Sequence, residues 1–311
     1  MQEVIRVTGL TKKYQDRFAV NQLSFTVSQG DIYGFLGQNG AGKSTTIRML
    51  LSLISPSSGA IEIFGKDLLP NRNEILRKVG AVVERPDLYP YLSGLENLAL
   101  FAKMSGIRPS RNQLLEQLEH VGLATRYSSR VRTYSQGMKQ RLGIAVALVH
   151  DPELIILDEP TNGLDPQGIT DIRNLILNLS KERKKTVFVS SHLLSEIEQI
   201  ATRMLIIDKG SKLAEGTVQD LLDPADSVVY LQTSNDETSM QLLRTSDYKR
   251  FIQGSDHRGI QLRMERASIP VLNRFLVERN VEVWSLSVMN RLEESFLKLT
   301  SSEPYVDAFS N

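Results

Sequence analysis

Residues 37–44 read Gly37-Gln38-Asn39-Gly40-Ala41-Gly42-Lys43-Ser44. An apolar strand predicted at 31–36 leads directly into this run, and a helix-compatible segment at 45–54 follows it. The spacing fits the G-x-x-x-x-G-K-S pattern of a phosphate-binding loop, in the strand–loop–helix context that such a loop requires. Its glycines would let backbone N–H groups face a phosphate chain, and the helix N-terminus would add partial positive charge. The motif therefore predicts a site for a nucleoside triphosphate.

Side chains at the end of this loop receive separate roles. Lys43 would reach the β- and γ-phosphates and the Ser44 hydroxyl would ligate Mg²⁺. Thr45 closes the nucleotide-contacting set that begins at Gly37. An ordinary glycine-rich turn is the alternative interpretation, which the full match in its strand–helix context disfavours. A dinucleotide-binding fingerprint is excluded, because glycines at 37, 40 and 42 do not give G-x-G-x-x-G.

A second motif is an apolar strand that ends in two carboxylates, Leu154-Ile155-Ile156-Leu157-Asp158-Glu159. In an open parallel sheet ligands gather at the carboxyl ends of strands, so Asp158 and Glu159 should emerge beside the phosphate loop. Asp158 suits the Mg²⁺ shell through water. Glu159 is then free to orient and deprotonate the attacking water. The alternative is a solvated strand end, which is less favoured once the phosphate loop is present.

The chain around these motifs predicts an α/β fold. Apolar strands at 154–157, 186–190 and 204–207 alternate with helices, which indicates a largely parallel sheet covered on both faces. A helix-rich insert covers about 93–150. The pattern then changes near Asp223 to strand, helix, two strands, helix, strand and a last helix at 291–299. We therefore predict a nucleotide-binding domain at 1–222 and a small α+β domain at 223–311.

The composition excludes several classes of protein. The 311 residues include 37 basic and 36 acidic side chains, so no nucleic-acid-binding arm or acidic tail is expected. There is no cysteine, which excludes disulfides and thiolate metal sites. Residues 1–6 lack the apolar core of a signal peptide, and no apolar run approaches the roughly 18 residues of a membrane-crossing helix. We expect a chain that does not itself cross a bilayer.

A third motif, Tyr134-Ser135-Gln136-Gly137-Met138-Lys139-Gln140-Arg141, resembles the signature motif of the ABC ATPase family. Methionine after the glycine resembles the variant found in exporters of the ABC-2 type. Ser135 lies where a helix begins, so its hydroxyl and the free N–H groups form a second anion site. The resemblance implies that residues 135–138 bind ATP held by the opposite subunit. A plain serine N-cap is the alternative for this motif taken alone.

The remaining family positions follow in the expected order. The resemblance implies that Tyr14 stacks on adenine and that His192 contacts the γ-phosphate, while residues 161–165 resemble the D-loop. Glu84 stands where most members carry the glutamine of the Q-loop, which is a departure. A glutamate there can still approach Mg²⁺, although it adds negative charge near the phosphates. The other histidines, His120, His150 and His257, are interpreted as polar loop residues.

The resemblance implies a P-loop ABC ATPase core with a helical subdomain at about 86–155. It also implies ATP and Mg²⁺ as ligands, and a head-to-tail dimer with a second copy or a paralogue. The catalytic set is Lys43, Glu159 and His192, and the metal set is Ser44, Asp158 and Glu84. Such subunits hydrolyse ATP and power a separate transmembrane permease from the cytoplasmic face of the membrane. The cargo, the direction of transport and the choice of homodimer or heterodimer stay open.

Two other functions remain to be weighed. Some ABC ATPases act on DNA or ribosomes, yet the sequence carries neither long coiled-coil insertions nor tandem cassettes. A regulatory nucleotide switch without turnover is disfavoured by Glu159. Within the transporter interpretation, the loop at 86–95 is rich in aromatic and apolar residues, among them Tyr89, Tyr91 and Leu92. It either anchors the helical insert or receives a cytoplasmic helix of the permease.

Overall fold

The computed structural model describes residues 2–221, 227–256 and 258–290. The chain divides into two compact units, Met1–Val218 and Gln219–Asn311, whereas the boundary predicted from the sequence lies between residues 222 and 223. The predicted last helix at 291–299 and His257 lie outside the described residues. No helix in the described ranges is both long enough and apolar enough to span a membrane.

Residues 2–221 contain strands and helices in alternation. The strands are β1 (Glu3–Tyr14), β2 (Arg17–Ser28), β3 (Ile32–Gly37), β4 (Ser58–Ile63), β5 (Lys66–Asp67), β6 (Val79–Val82), β7 (Leu154–Leu157), β8 (Thr186–Ser191), β9 (Arg203–Asp208) and β10 (Ser211–Thr217). The helices are α1 (Lys43–Leu50), α2 (Arg72–Leu76), α3 (Gly94–Met104), α4 (Arg111–His120), α5 (Gln136–Leu148), α6 (Pro166–Lys181), α7 (Leu194–Glu198) and α8 (Val218–Leu221).

The central sheet has the strand order β10-β9-β3-β8-β7-β6. All its neighbours are parallel except β10 and β9, which run antiparallel. Strands β3, β7 and β8 are buried along their whole length, as continuous apolar strands in the middle of a covered sheet should be. The predicted largely parallel sheet is confirmed. It brings the carboxyl ends of β3, β7 and β8 to one edge.

A second, antiparallel sheet of order β2-β1-β4-β5 packs on one face of the central sheet. The core between them contains an aromatic cluster of Phe25, Tyr33, Phe35 and Phe188, with ring centroids 5.3–6.0 Å apart. Each fully buried ring contributes about 1.5–3 kcal/mol by leaving water. Helices α6 and α7 contact the central sheet at β3 and β8. The layers hold the ends of β3 and β8 rigidly.

The insert between β6 and β7 is helical, as predicted. Helices α3, α4 and α5 contact one another. Capping boxes begin α3 at Ser93 and α4 at Ser110. Each serine hydroxyl accepts a hydrogen bond from the backbone N–H of the N3 residue, and the N3 side chain accepts one from the backbone N–H of the serine. Residues 154 and 155, which the sequence analysis included in this insert, belong instead to β7 of the sheet.

The second unit contains β11 (Ser227–Thr233), α9 (Asp236–Arg244), β12 (Ile252–Asp256), β13 (Gly259–Arg263), α10 (Ile269–Val277) and β14 (Val283–Asn290). Its sheet is antiparallel with the order β12-β13-β11-β14. Val229, Leu231, Ile260 and Leu262 form one apolar face of that sheet, and they pack with leucines of α9 and α10. The order of elements is the one predicted up to residue 290.

Candidate active site

The phosphate-binding loop joins β3 to α1 and surrounds a cavity of about 270 Å³. Gly42 is the N-cap of α1 with φ 106°, and a Cβ there would lie 2.4 Å from the carbonyl oxygen of Ala19. Only glycine fits this left-handed position against a neighbouring backbone. The cavity is lined by Gln38, Asn39, Gly40, Gly42, Lys43, Ser44 and Thr45, together with Ala19 and Glu159. Most of the predicted nucleotide-binding residues therefore share one cavity with the predicted base.

Lys43 is held in a fixed position under the loop. Its side chain is only 4% exposed. The Nζ atom donates to the carbonyl oxygens of Gly37 at 2.7 Å and Gln38 at 3.1 Å. It also lies 3.0 Å from Oε1 of Glu159. A buried ammonium with a carboxylate partner and two carbonyl acceptors is a preorganised cation for phosphate oxygens.

Glu159 connects the phosphate loop to the end of β8. Its backbone has φ 46°, an uncommon left-handed value for a non-glycine residue. The Oε2 atom lies 3.0 Å from Nδ1 of His192 and accepts from Nδ2 of Asn162 at 3.3 Å. The contact between Glu159 and His192 is a hydrogen bond if Nδ1 of His192 carries the proton, because the carboxylate can only accept. Lys43, Glu159 and His192 thus form one continuous polar cluster, in agreement with their assignment to one site.

Ser190 is a site residue that the sequence analysis missed. Its hydroxyl is completely buried, donates to Oδ1 of Asp158 at 2.6 Å and accepts from the backbone N–H of Glu159 at 2.9 Å. Strands β7 and β8 are parallel, with Leu157 opposite Val189. The residues that follow this pair, Asp158 and Ser190, are therefore neighbours. Parallel pairing of β7 with β8 would have placed Ser190 beside Asp158. Without that pairing, nothing in the sequence distinguishes Ser190 from an ordinary strand residue.

The surroundings of Asp158 fit a hydrated Mg²⁺. Asp158 is 2% exposed, and its Oδ2 atom has no hydrogen-bond partner among the described residues. An unpaired buried carboxylate oxygen is costly unless a cation or ordered water satisfies it. Ser44 lines the adjacent cavity. Within the described ranges no group of three or more His, Asp or Glu could hold a metal. Ser44 and Asp158 would be the protein contacts of Mg²⁺, which keeps most of its own water in protein sites.

Glu84 lies just after β6 with φ 58° and a side chain that is 58% exposed. Its carboxylate pairs with the guanidinium of Arg48, in the last turn of α1. Arg48 therefore balances the extra negative charge that distinguishes this position from glutamine.

Several predicted positions lie outside the described lining of the phosphate-loop cavity, among them Glu84, Asp158 and His192 as well as Tyr14 and Ser135. Tyr14 ends β1, is 49% exposed and has the Nζ of Lys12 over its ring at 5.1 Å. Ser135 is the N-cap of α5 and accepts from the backbone N–H of Met138 at 3.2 Å. The described lining of the cavity includes neither of them. A role for either requires contacts beyond that lining.

His150 lies in the turn that follows α5, in a loop as interpreted from the sequence. Its Nε2 atom lies 3.2 Å from the carbonyl oxygen of Val79, and burial lowers the pKa of His150. The neutral ring therefore donates to the backbone of β6. His120 is exposed but is the last residue of α4, so its interpretation as a loop residue is wrong.

Comparison with known proteins agrees with this arrangement. The sequence pattern described as ABC transporter matches residues 20–162. The chain is 45% identical over 304 residues to the Bacitracin transport ATP-binding protein BcrA of Bacillus licheniformis, covering 96% of this chain and 98% of that protein. It is 40% identical over 212 residues to the Lantibiotic transport ATP-binding protein SrtF of Streptococcus pyogenes, covering 68% of this chain and 90% of the other.

Among solved structures, the chain resembles the ATP-binding cassette MJ0796 in a dimeric post-hydrolysis state bound to ADP and Pi. The TM-score is 0.62 at 26% identity, and the match covers 69% of this chain and 98% of that one. The phosphate loop, the paired strand ends and the long match to BcrA lead to one conclusion. This chain belongs to the ABC transporter family and is an ATP-binding, ATP-hydrolysing subunit.

Proposed function

We propose that ATP is hydrolysed at the cluster of Lys43, Glu159 and His192, with Glu159 as general base. The main support is the position of Glu159, which lines the phosphate-loop cavity. Its Oε1 atom lies 3.0 Å from Nζ of Lys43, and its Oε2 atom lies 3.0 Å from Nδ1 of His192. Lys43 neutralises charge on the β- and γ-phosphates, and the loop N–H groups orient them. His192 holds one oxygen of the Glu159 carboxylate and contacts the γ-phosphate. Positioning and charge neutralisation supply most of the catalysis in phosphoryl transfer.

Mg²⁺ binds between Ser44 and Asp158 in this proposal. The unpaired Oδ2 atom of Asp158 supports it. When bound there, the cation would supply positive charge to the phosphate oxygens. Ser190 holds Oδ1 of Asp158, which would leave Oδ2 available to the ion. Glu84 joins the metal shell only by exchanging its Arg48 partner for the ion.

Residues 135–138 bind the γ-phosphate of ATP held by a second ATPase subunit, which is another copy of this chain or a paralogue. Ser135 supports this role because it caps the N-terminus of α5, where backbone N–H groups favour an anion. Tyr14 stacks on adenine through the face of its half-exposed ring that Lys12 does not cover. The dimeric state named for the solved relative is the precedent for the pairing.

The subunit works at the inner face of the cell membrane on a separate permease. Tyr89 and Tyr91 are 47% and 76% exposed and form the contact surface together with Leu92. The side-chain amide of Asn97 bonds both the N–H and the carbonyl of Tyr89, so the loop backbone has an anchor besides the contact of the Tyr89 ring with Phe101. In this proposal the second unit is an accessory domain, and none of its described residues is catalytic.

The cargo is an antibiotic, and bacitracin is the first to test. The identity of 45% to BcrA of Bacillus licheniformis extends over 96% of this chain, and therefore includes the second unit as well as the ATPase core. Export from the cell is the direction that the resemblance to ABC-2 exporters favours.

Glu159→Gln tests the catalytic assignment. The variant should bind Mg-ATP with near-normal affinity, while turnover falls about 10²–10⁴-fold, the usual cost of losing a general base. Steady-state phosphate release and equilibrium ATP binding are measured on the same full-length preparation. Glu182→Gln, an exposed site just after α6, is the matched control. Near-normal turnover in Glu159→Gln would remove Glu159 from the mechanism.

The cargo is tested in a cell that carries the chain with its membrane partner. Lys43→Ala should lower the minimal inhibitory concentration of bacitracin to the value of a cell without the chain. Unchanged bacitracin resistance, together with changed resistance to a lantibiotic, would contradict the bacitracin assignment while leaving antibiotic transport in place. Unchanged resistance to both would contradict an antibiotic cargo.

A further inference from the structure

Glu196, in the first turn of α7, makes two contacts that α7 itself does not require. Its Oε2 atom accepts from Oγ1 of Thr161 at 2.7 Å and from Oγ of Ser191 at 3.0 Å. A carboxylate is an acceptor only, so both hydroxyls must donate to this single oxygen. Hydrogen bonds to a charged acceptor are stronger than neutral ones. Glu196 therefore joins two loops that are far apart in sequence.

The two hydroxyl groups sit next to the catalytic cluster in the chain. Thr161 follows Glu159 by two residues, and Ser191 directly precedes His192. The Ser191 hydroxyl also accepts from the backbone N–H of Leu193 at 3.0 Å, which fixes the turn that carries His192. If Thr161 and Ser191 moved apart, the 3.0 Å distance between Oε2 of Glu159 and Nδ1 of His192 would therefore increase.

Packing around this junction makes the contacts specific. Ser191 is 3% exposed, and Thr161 and Glu196 are half-buried. The adjacent Ser190 points to Asp158 and the backbone of Glu159, on the other side of β8. Consecutive strand residues point to opposite faces, so these two serines support the site from both sides of one strand.

We propose that Glu196 is a positioning residue for ATP hydrolysis, which holds the turn after Glu159 against the end of β8 so that Glu159 and His192 stay aligned. This inference rests on the proposed roles of Glu159 and His192. Glu196 does not line the phosphate-loop cavity, so it acts through Thr161 and Ser191 and leaves nucleotide binding to the loop. A misplacement of about 1 Å in such a cluster can cost about 10²-fold in rate.

The test separates turnover from nucleotide affinity in the full-length chain. Glu196→Ala should lower kcat about 10- to 100-fold, with the dissociation constant for ATP changed less than about twofold. Glu196→Gln keeps a carbonyl oxygen that can accept from both hydroxyls, so it should retain at least about a third of the kcat. Glu198→Ala, at an exposed position in the same helix, is the matched control and should behave as the unsubstituted chain.

A double-mutant cycle tests the route of the effect. Thr161→Val removes one donor at nearly constant volume and should lower kcat about threefold to tenfold. Combined with Glu196→Ala it should cost no more than Glu196→Ala alone, because both changes break the same contact. If Glu196→Ala does not fold, Thr161→Val and Glu196→Gln decide the question by the same two measurements.

Several results would overturn the inference. One is a kcat of Glu196→Ala within about twofold of that of the unsubstituted chain. Another is a loss of ATP affinity in Glu196→Ala as large as its loss of kcat. The third is a kcat of the double variant reduced by the product of the two single effects. Glu159→Gln serves as the reference for the underlying site. Inactive Glu159→Gln beside fully active Glu196→Ala contradicts only the positioning role, whereas active Glu159→Gln contradicts the proposed catalytic assignment.

Discussion

Replacing Ser190 by alanine should destabilise the fold more than a typical serine deletion does. The Ser190 hydroxyl is fully buried and makes a 2.6 Å bond to the carboxylate of Asp158 and a 2.9 Å bond from the N–H of Glu159. A hydrogen bond to a charged group contributes about 1.5–3 kcal/mol and a neutral one about 0.5–1.5 kcal/mol. Ser190→Ala should therefore lower the free energy of unfolding by about 2–4.5 kcal/mol. It also leaves Asp158 less firmly placed, so turnover should fall.

Equilibrium unfolding in denaturant, followed by circular dichroism, measures this loss. Ser180→Ala is the matched control, because the Ser180 hydroxyl makes one neutral bond, to the carbonyl of Gly30 at 3.1 Å. Its expected cost is about 1 kcal/mol. The reasoning fails if Ser190→Ala costs no more than Ser180→Ala, since the bond to Asp158 would then contribute nothing measurable.

Three further substitutions test separate parts of the molecule. Lys43→Ala should abolish productive ATP binding, and unchanged affinity in a fluorescent-nucleotide titration would contradict the site. Burial lowers the pKa of His150, so its stabilising contribution is present above about pH 6.5 and is lost as the pH falls. The midpoint of thermal unfolding should therefore fall less between pH 7 and pH 5 in His150→Gln than in the unsubstituted chain. An equal fall in both proteins would contradict a lowered pKa of His150. Tyr89→Asp should weaken co-purification with the permease at unchanged ATP affinity. Leu213→Asp, at a similarly exposed position on β10, is the control and should retain the permease. If both variants retain it equally, Tyr89 only anchors the loop.

The sheet and the phosphate loop were predictable because they rest on local rules. Strands buried on both faces must be continuously apolar, which identifies 154–157 and 186–190 without any tertiary information. The loop needs glycine where a Cβ would strike backbone, as Gly42 against Ala19 illustrates. Ser93 and Glu96 have the spacing of a capping box, and the structure contains both of its hydrogen bonds.

The residues that support the site were not predictable in the same way. Ser190, Ser191 and Glu196 belong to residue types that are common in strand ends and short helices. Their roles depend on the pairing of β7 with β8 and on the position of α7, which no local pattern specifies. The Arg48 partner of Glu84 is a further case, because α1 and the end of β6 meet only in the folded chain.

In the proposed mechanism, the contacts of Glu159 would let one carboxylate serve both phosphate binding and water activation. Its two oxygens have separate partners: Oε1 faces Lys43, whereas Oε2 faces His192 and Asn162. A phosphate that approaches Lys43 competes with Oε1 for the ammonium. The contacts of Oε2, and the bond from the backbone N–H to Ser190, do not involve Lys43 and persist. The carboxylate can therefore give up its cation to ATP and still be held in place by β8, with Oε1 released to accept a proton from water.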